Sequence, residues 1–126
     1  TRFTITRIDQ TIALGALFTA HHLNANAIAA LTDSGSTAVW MSRHNIHLPI
    51  FALTSKIATQ RALSTYRNVF PIGLNYTKHR DTALQEVEDC LKKMGAVKKG
   101  DVVVLTSGEP MGEPGGTNSL KIIQVK

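Results

Sequence analysis

Cysteine is almost missing from this chain: Cys90 stands alone, so no internal disulfide can form and a reducing cytosol is the compartment that fits. Aromatic side chains make up only 6% of the residues and do not interleave with the lysines and arginines, so there is no base-stacking platform. No apolar run approaches the roughly 20 residues that span a bilayer, which excludes a membrane helix. The first residues, Thr1 to Arg7, lack the apolar centre of a signal peptide. They also lack an initiating methionine, as expected of a processed chain or of a fragment cut from a longer one. Recognisable catalytic signatures are missing too. No serine sits in a Gly-x-Ser-x-Gly elbow, and no loop ends in the Gly-Lys-Ser/Thr of a phosphate-binding P-loop. His21, His22, His44 and His47 have no cysteine or carboxylate placed to complete a metal site, so no metal is expected here.

What remains is ordinary globular material. The 126 residues suffice for one domain with a real core, and 43% apolar with 18% charged residues is a typical soluble composition. The formal charge is +5. The basic residues are dispersed, however, and the pairs Lys92-Lys93 and Lys98-Lys99 lie close to Glu86, Glu88, Asp89 and Asp101. A surface that favours small anions explains this charge better than nucleic acid does.

Periodicity gives an alternating order of helices and strands. Asp9 to Leu23 reads as a helix, with Thr6 and Asp9 at capping-box spacing, and it is apolar around most of its circumference. Ala27–Leu31 is a short buried strand, and Ala38-Val39-Trp40-Met41 opens a short helix ending near Arg43. Pro49–Leu53 is the next strand, with Thr54 or Ser55 capping a helix through Leu63. Val69–Leu74 follows, and Pro71 places that strand at an edge or an irregular position. A helix from Asp81 to Met94 carries Leu84, Val87, Leu91 and Met94 on one stripe, with Cys90 beside it as a small core residue. Val102–Leu105 and Leu120–Val125 are the last strands. No helix joins them, so the final strand is expected to be antiparallel and at or near an edge. The fold class is therefore α/β: a three-layer sandwich around a mostly parallel five-stranded sheet with the last strand antiparallel.

Between the first strand and the short helix lies Thr32-Asp33-Ser34-Gly35-Ser36-Thr37. Hydroxyls and backbone N–H groups in the first turn of a helix, where the dipole is positive, are suited to holding a phosphate. The same residues also serve as plain helix caps. The Gly/Pro-rich connection from Gly108 to Thr117 also follows a strand, and ligands of open α/β sheets bind at strand carboxyl ends. Both loops are thus expected to line one crevice. Trp40 is expected to pack against the sheet rather than stack on a ligand.

The order of these pieces resembles the C-terminal domain of pyruvate kinase in its bacterial form. The resemblance runs through the Ile12–Leu23 helix, Thr-x-Ser-Gly-x-Thr at residues 32–37, Leu48-Pro49-Ile50-Phe51-Ala52-Leu53-Thr54 and Tyr66-Arg67-Asn68-Val69-Phe70-Pro71. It continues through Lys99-Gly100-Asp101-Val102-Val103-Val104 and Gly116-Thr117-Asn118-Ser119-Leu120-Lys121, covering essentially the whole chain. The family transfers a phosphoryl group from phosphoenolpyruvate to ADP with magnesium and usually potassium. Its catalytic Lys, Arg and carboxylate metal ligands lie in a separate barrel domain, and no position here matches them. The resemblance implies a cytoplasmic regulatory domain, inert alone, with no cofactor of its own, partnered by the barrel of its own chain and by a homotetramer.

By the same resemblance Thr32, Ser34, Gly35, Ser36 and Thr37 hold an effector phosphate, and the loop containing Gly108 and Gly112 closes over the sugar. Where fructose-bisphosphate-activated members carry a Trp and a downstream Arg for a second phosphate, this chain has Tyr76 and Ala83. Only Lys78, His79 and Arg80 stand nearby as substitutes, a departure that counts against bisphosphate recognition, and a sugar monophosphate or nucleoside monophosphate is the expected effector. The alternative from another class is a free-standing sugar-phosphate or nucleotide-binding module with no barrel attached.

Overall fold

A computed structural model describes residues 5–44, 46–77, 79–108 and 117–126, with Arg80 described by its backbone alone. Nine elements follow one another: α1 (Arg7–Leu23), β1 (Ala27–Leu31), α2 (Ser36–Ser42), β2 (Ile50–Thr54), α3 (Ile57–Leu63), β3 (Val69–Gly73), α4 (Arg80–Lys93), β4 (Val102–Ser107) and β5 (Ser119–Gln124). The strand order in the sheet is β3-β2-β1-β4-β5. The pairs β1–β2, β2–β3 and β1–β4 are parallel, while β4–β5 is antiparallel. The expected mixed five-stranded sheet is what forms, and Pro71 lies on the edge strand β3, paired in register with Ala52.

Strand alternation sorts the core into two layers, because successive side chains point to opposite faces. Ala27, Ala29, Leu31, Val103 and Leu105 pack with Ala83, Leu84, Val87 and Leu91 of α4. Ile28, Ala30, Ile50, Ala52 and Val104 pack with Ala13, Ala16 and Ala20 of α1, Val39 and Met41 of α2, and Leu63 of α3. The three alanines of α1 are spaced at three and four residues, so they form one stripe that lies close against the sheet. Both sheet faces are therefore covered, as β1 requires with all five of its residues buried. Cys90 and Trp40 are half-buried and pack against opposite core layers.

Helix ends differ from the sequence expectation in instructive ways. Thr6 is the N-cap of α1 and forms a full capping box with Asp9, so the helix begins at Arg7 and Asp9 is already its third residue. The short helix α2 starts at Ser36, two residues before the apolar run that suggested it. For α3, neither Thr54 nor Ser55 is the cap. The N-cap is Lys56, whose side chain makes no cap bond. Thr54 finishes β2, and its hydroxyl accepts the Lys56 N–H at 3.1 Å, closing the strand-to-helix turn instead.

The face of α1 turned away from the sheet has no cover among the described residues. Ile8, Leu14 and Phe18 are 63%, 53% and 65% exposed, and the Phe18 ring lies 4.1 Å from the ring of His22.

Candidate functional site

The connection leaving β1 runs through α2 to β2 on one side, while β4, the neighbour of β1 on the other side, leads to β5. Chain paths diverge between β1 and β4, and this switch point is where open α/β sheets form ligand crevices. Ala30 is in register with Thr106, so the segments after Leu31 and after Ser107 emerge side by side. The two loops singled out in the sequence therefore do share one end of the sheet at their roots, Thr32 and Gly108. Gly112 and Lys78, both expected in the crevice, lie outside the described residues.

Local bonding builds the 32–37 turn from its own side chains. The Thr32 hydroxyl accepts the Gly35 N–H at 2.8 Å, and Thr32 itself is buried. Ser34 is exposed; its Oγ accepts the Ser36 N–H at 3.3 Å and stands 2.9 Å from Ser36 Oγ. Gly35 is the N-cap of α2 with φ +85°, and a Cβ there would lie 2.9 Å from the Leu63 side chain. Glycine is thus required twice, by the left-handed backbone and by the close approach of α3. The amides of Thr37 and Ala38 remain as first-turn donors that no side chain of the turn takes up.

Thr37 behaves differently from its neighbours. It is 2% exposed, and its hydroxyl bonds Thr117 Oγ1 at 2.9 Å, so it can offer a ligand its backbone N–H rather than its side chain. The turn is also tied down from outside. Thr59 of α3 donates to the Asp33 carbonyl at 2.5 Å, and the Tyr76 hydroxyl donates to Asp33 Oδ1 at 3.4 Å. Burial, followed by the Asp33 charge and hydrogen bond, pushes the Tyr76 phenol above 10.0. Tyr76 therefore stands beside the turn, bonded to Asp33. Ala83 does not: it is fully buried in the core beneath α4. Arg80 begins α4, and His79 is its exposed N-cap.

Sequence reasoning missed Asp9, Thr59 and Asp33 as supports of this turn. Asp9 was visible only as a capping residue; its second role, accepting the Thr117 N–H at 2.6 Å, joins positions far apart in the chain and leaves no local signal. Thr106, at the end of β4, keeps a buried hydroxyl that has no partner among the described residues.

The family model described as pyruvate kinase, alpha/beta domain, matches residues 10–123. The chain belongs to the pyruvate kinase family. It is 40% identical over 119 residues to a pyruvate kinase of Buchnera aphidicola subsp. Baizongia pistaciae, covering 94% of this chain and 25% of that protein. Against pyruvate kinase II of Salmonella typhimurium it is 33% identical over 120 residues, again with 94% and 25% coverage. The crystal structure of a pyruvate kinase from Cryptosporidium parvum superposes with a TM-score of 0.83 at 25% identity, covering 98% of this chain and 24% of that one. The chain thus spans about a quarter of the length of the pyruvate kinases it matches. Among the described residues no helix is long and apolar enough to cross a membrane.

Proposed function

We propose that this chain is the regulatory domain of a cytoplasmic pyruvate kinase, and that the 32–37 turn holds the phosphate of an allosteric effector. The observation that carries the reading is the position of that turn. It lies at the sheet's switch point, with the Ser34 and Ser36 hydroxyls paired to each other and the Thr37 and Ala38 amides facing no side chain of the turn. A phosphate would replace the Ser–Ser bond with charge-assisted bonds, which are about twice as strong as neutral ones.

The phosphoryl transfer from phosphoenolpyruvate to ADP belongs, on this reading, to a barrel elsewhere in the full-length protein. Among the described residues no group of three or more His, Cys, Asp or Glu side chains could hold a metal ion. Magnesium and potassium belong, by the family resemblance, to that barrel. This domain supplies a coupling free energy of roughly 1–3 kcal/mol between effector and active site.

The effector class follows from Tyr76 and Ala83. With Ala83 in the core and the Tyr76 hydroxyl on the Asp33 carboxylate, neither position offers a cation to a second phosphate. A sugar monophosphate or nucleoside monophosphate is the ligand that suits the turn. The uncovered face of α1 and the edge strand β5 are the candidate subunit contacts of a homotetramer.

The test is the rate of the full-length protein as a function of phosphoenolpyruvate, with and without ribose 5-phosphate, glucose 6-phosphate or AMP. One of the monophosphates should shift the half-saturating concentration about tenfold, in line with that coupling range. The shift should vanish in Ser34→Ala/Ser36→Ala while the unstimulated rate stays. A shift that survives in the double variant would put the effector elsewhere.

A further inference from the structure

Two hydroxyls and one carboxylate tie the first turn of α2 to the first turn of α1. Thr37 Oγ1 lies 2.9 Å from Thr117 Oγ1, and the Thr117 backbone N–H donates to Asp9 Oδ1 at 2.6 Å. The other carboxylate oxygen of Asp9 accepts the Thr6 N–H at 3.2 Å, and Thr6 in turn accepts the Asp9 N–H at 3.1 Å. Asp9, Thr37 and Thr117 are 3%, 2% and 4% exposed, so water does not stand ready to replace a lost partner. No hydrogen bond among the described residues joins Thr37 to Asp9 directly.

We propose that Thr117 is a yoke through which the turn before α2 and the N-terminal turn of α1 move as one, with Asp9 as the positioning residue. The physical reason is the double penalty of separating them. Displacing Thr117 would strip a buried carboxylate of a charge-assisted donor and a buried hydroxyl of its partner at once, and each loss carries the desolvation of the group left behind. A rearrangement of the 35–37 turn is therefore carried to residues 6–10. Those residues begin the helix whose open face bears Ile8, Leu14 and Phe18. The coupling goes beyond the effector reading, because it holds whether or not the turn takes a phosphate.

Hydrogen exchange followed by mass spectrometry on the full-length protein, with no ligand added, tests it. Thr37→Val removes one hydroxyl at nearly constant volume. It should speed exchange several-fold in the amides of residues 6–10 and 117–118, relative to the β1 amides of the same molecule, and Thr37→Ser should restore the wild-type rates. In the other direction, Asp9→Ala should speed exchange of residues 36–39, while Asp9→Asn, which keeps the Oδ1 acceptor, should do so much less. The proposal is overturned if faster exchange stays on the side of the substitution, or if the distant turn opens no more than β1 does, as it would if the substitution merely weakened the whole fold.

Discussion

At the scale of single residues, Gly35 and Tyr76 carry the sharpest consequences. Gly35→Ala places a Cβ against Leu63 on a backbone with φ +85°, so it should lower stability by about 1–3 kcal/mol, read as a reduced urea midpoint at unchanged slope. Tyr76 has its phenol pushed above 10.0, first by burial and then by Asp33. A folded-state pKa above the unfolded one favours folding below the unfolded value, and that contribution is lost as pH rises through the folded one. Any contribution of Tyr76 is therefore complete at neutral pH and disappears only in alkali. Ultraviolet titration should show Asp33→Asn moving the Tyr76 ionisation to lower pH, with Tyr76→Phe identifying the step. An unmoved titration would mean that Asp33 does not act on the phenol.

At the scale of elements, strands were more legible in the sequence than helix ends. β1 and β2 are continuous apolar runs buried along their whole length, and such runs need only local composition to be read. Pro71 could be assigned to an edge because a central strand would lose a ladder bond there. The α3 cap was misplaced because Thr54 has the chemistry of a cap but lies in register with Gly73 as the last residue of a strand. The direction of Thr37 was illegible for a different reason: its partner lies 80 residues away. The capping box of α1 was legible, because Thr6 and Asp9 are neighbours in sequence. Thr6→Ala should destabilise by about 0.5–2 kcal/mol, as caps generally do. Asp9→Ala should cost more, since it also leaves the Thr117 N–H without its acceptor. Equal losses in thermal or urea unfolding would contradict that second role.

At the scale of the whole molecule, two regions ask for a partner. The outer face of α1 exposes the large apolar side chains Ile8, Leu14 and Phe18, and exposed apolar patches mark contacts. Phe18→Lys in the full-length protein should shift sedimentation toward smaller species, whereas unchanged assembly would remove α1 from the proposed subunit contact. The second region is the proposed effector turn at the switch point, where, in a protein of charge +5, Ser34 and Ser36 pair with each other and no side chain of the turn takes up the Thr37 and Ala38 amides. Family membership was legible across the chain because the ordered segments survive at 33–40% identity to the enzymes it matches. The Tyr76–Asp33 contact was not, since it joins residues 43 apart in the chain.

Calorimetric titration of the full-length protein with ribose 5-phosphate, glucose 6-phosphate, AMP and fructose 1,6-bisphosphate bears most directly on the proposed effector turn, with Ser34→Ala/Ser36→Ala as the paired variant. The account predicts saturable binding of a monophosphate, with the bisphosphate no tighter, and at least a tenfold loss of affinity in the variant. Binding of the bisphosphate far more tightly than every monophosphate, or binding untouched by the two substitutions, would contradict it.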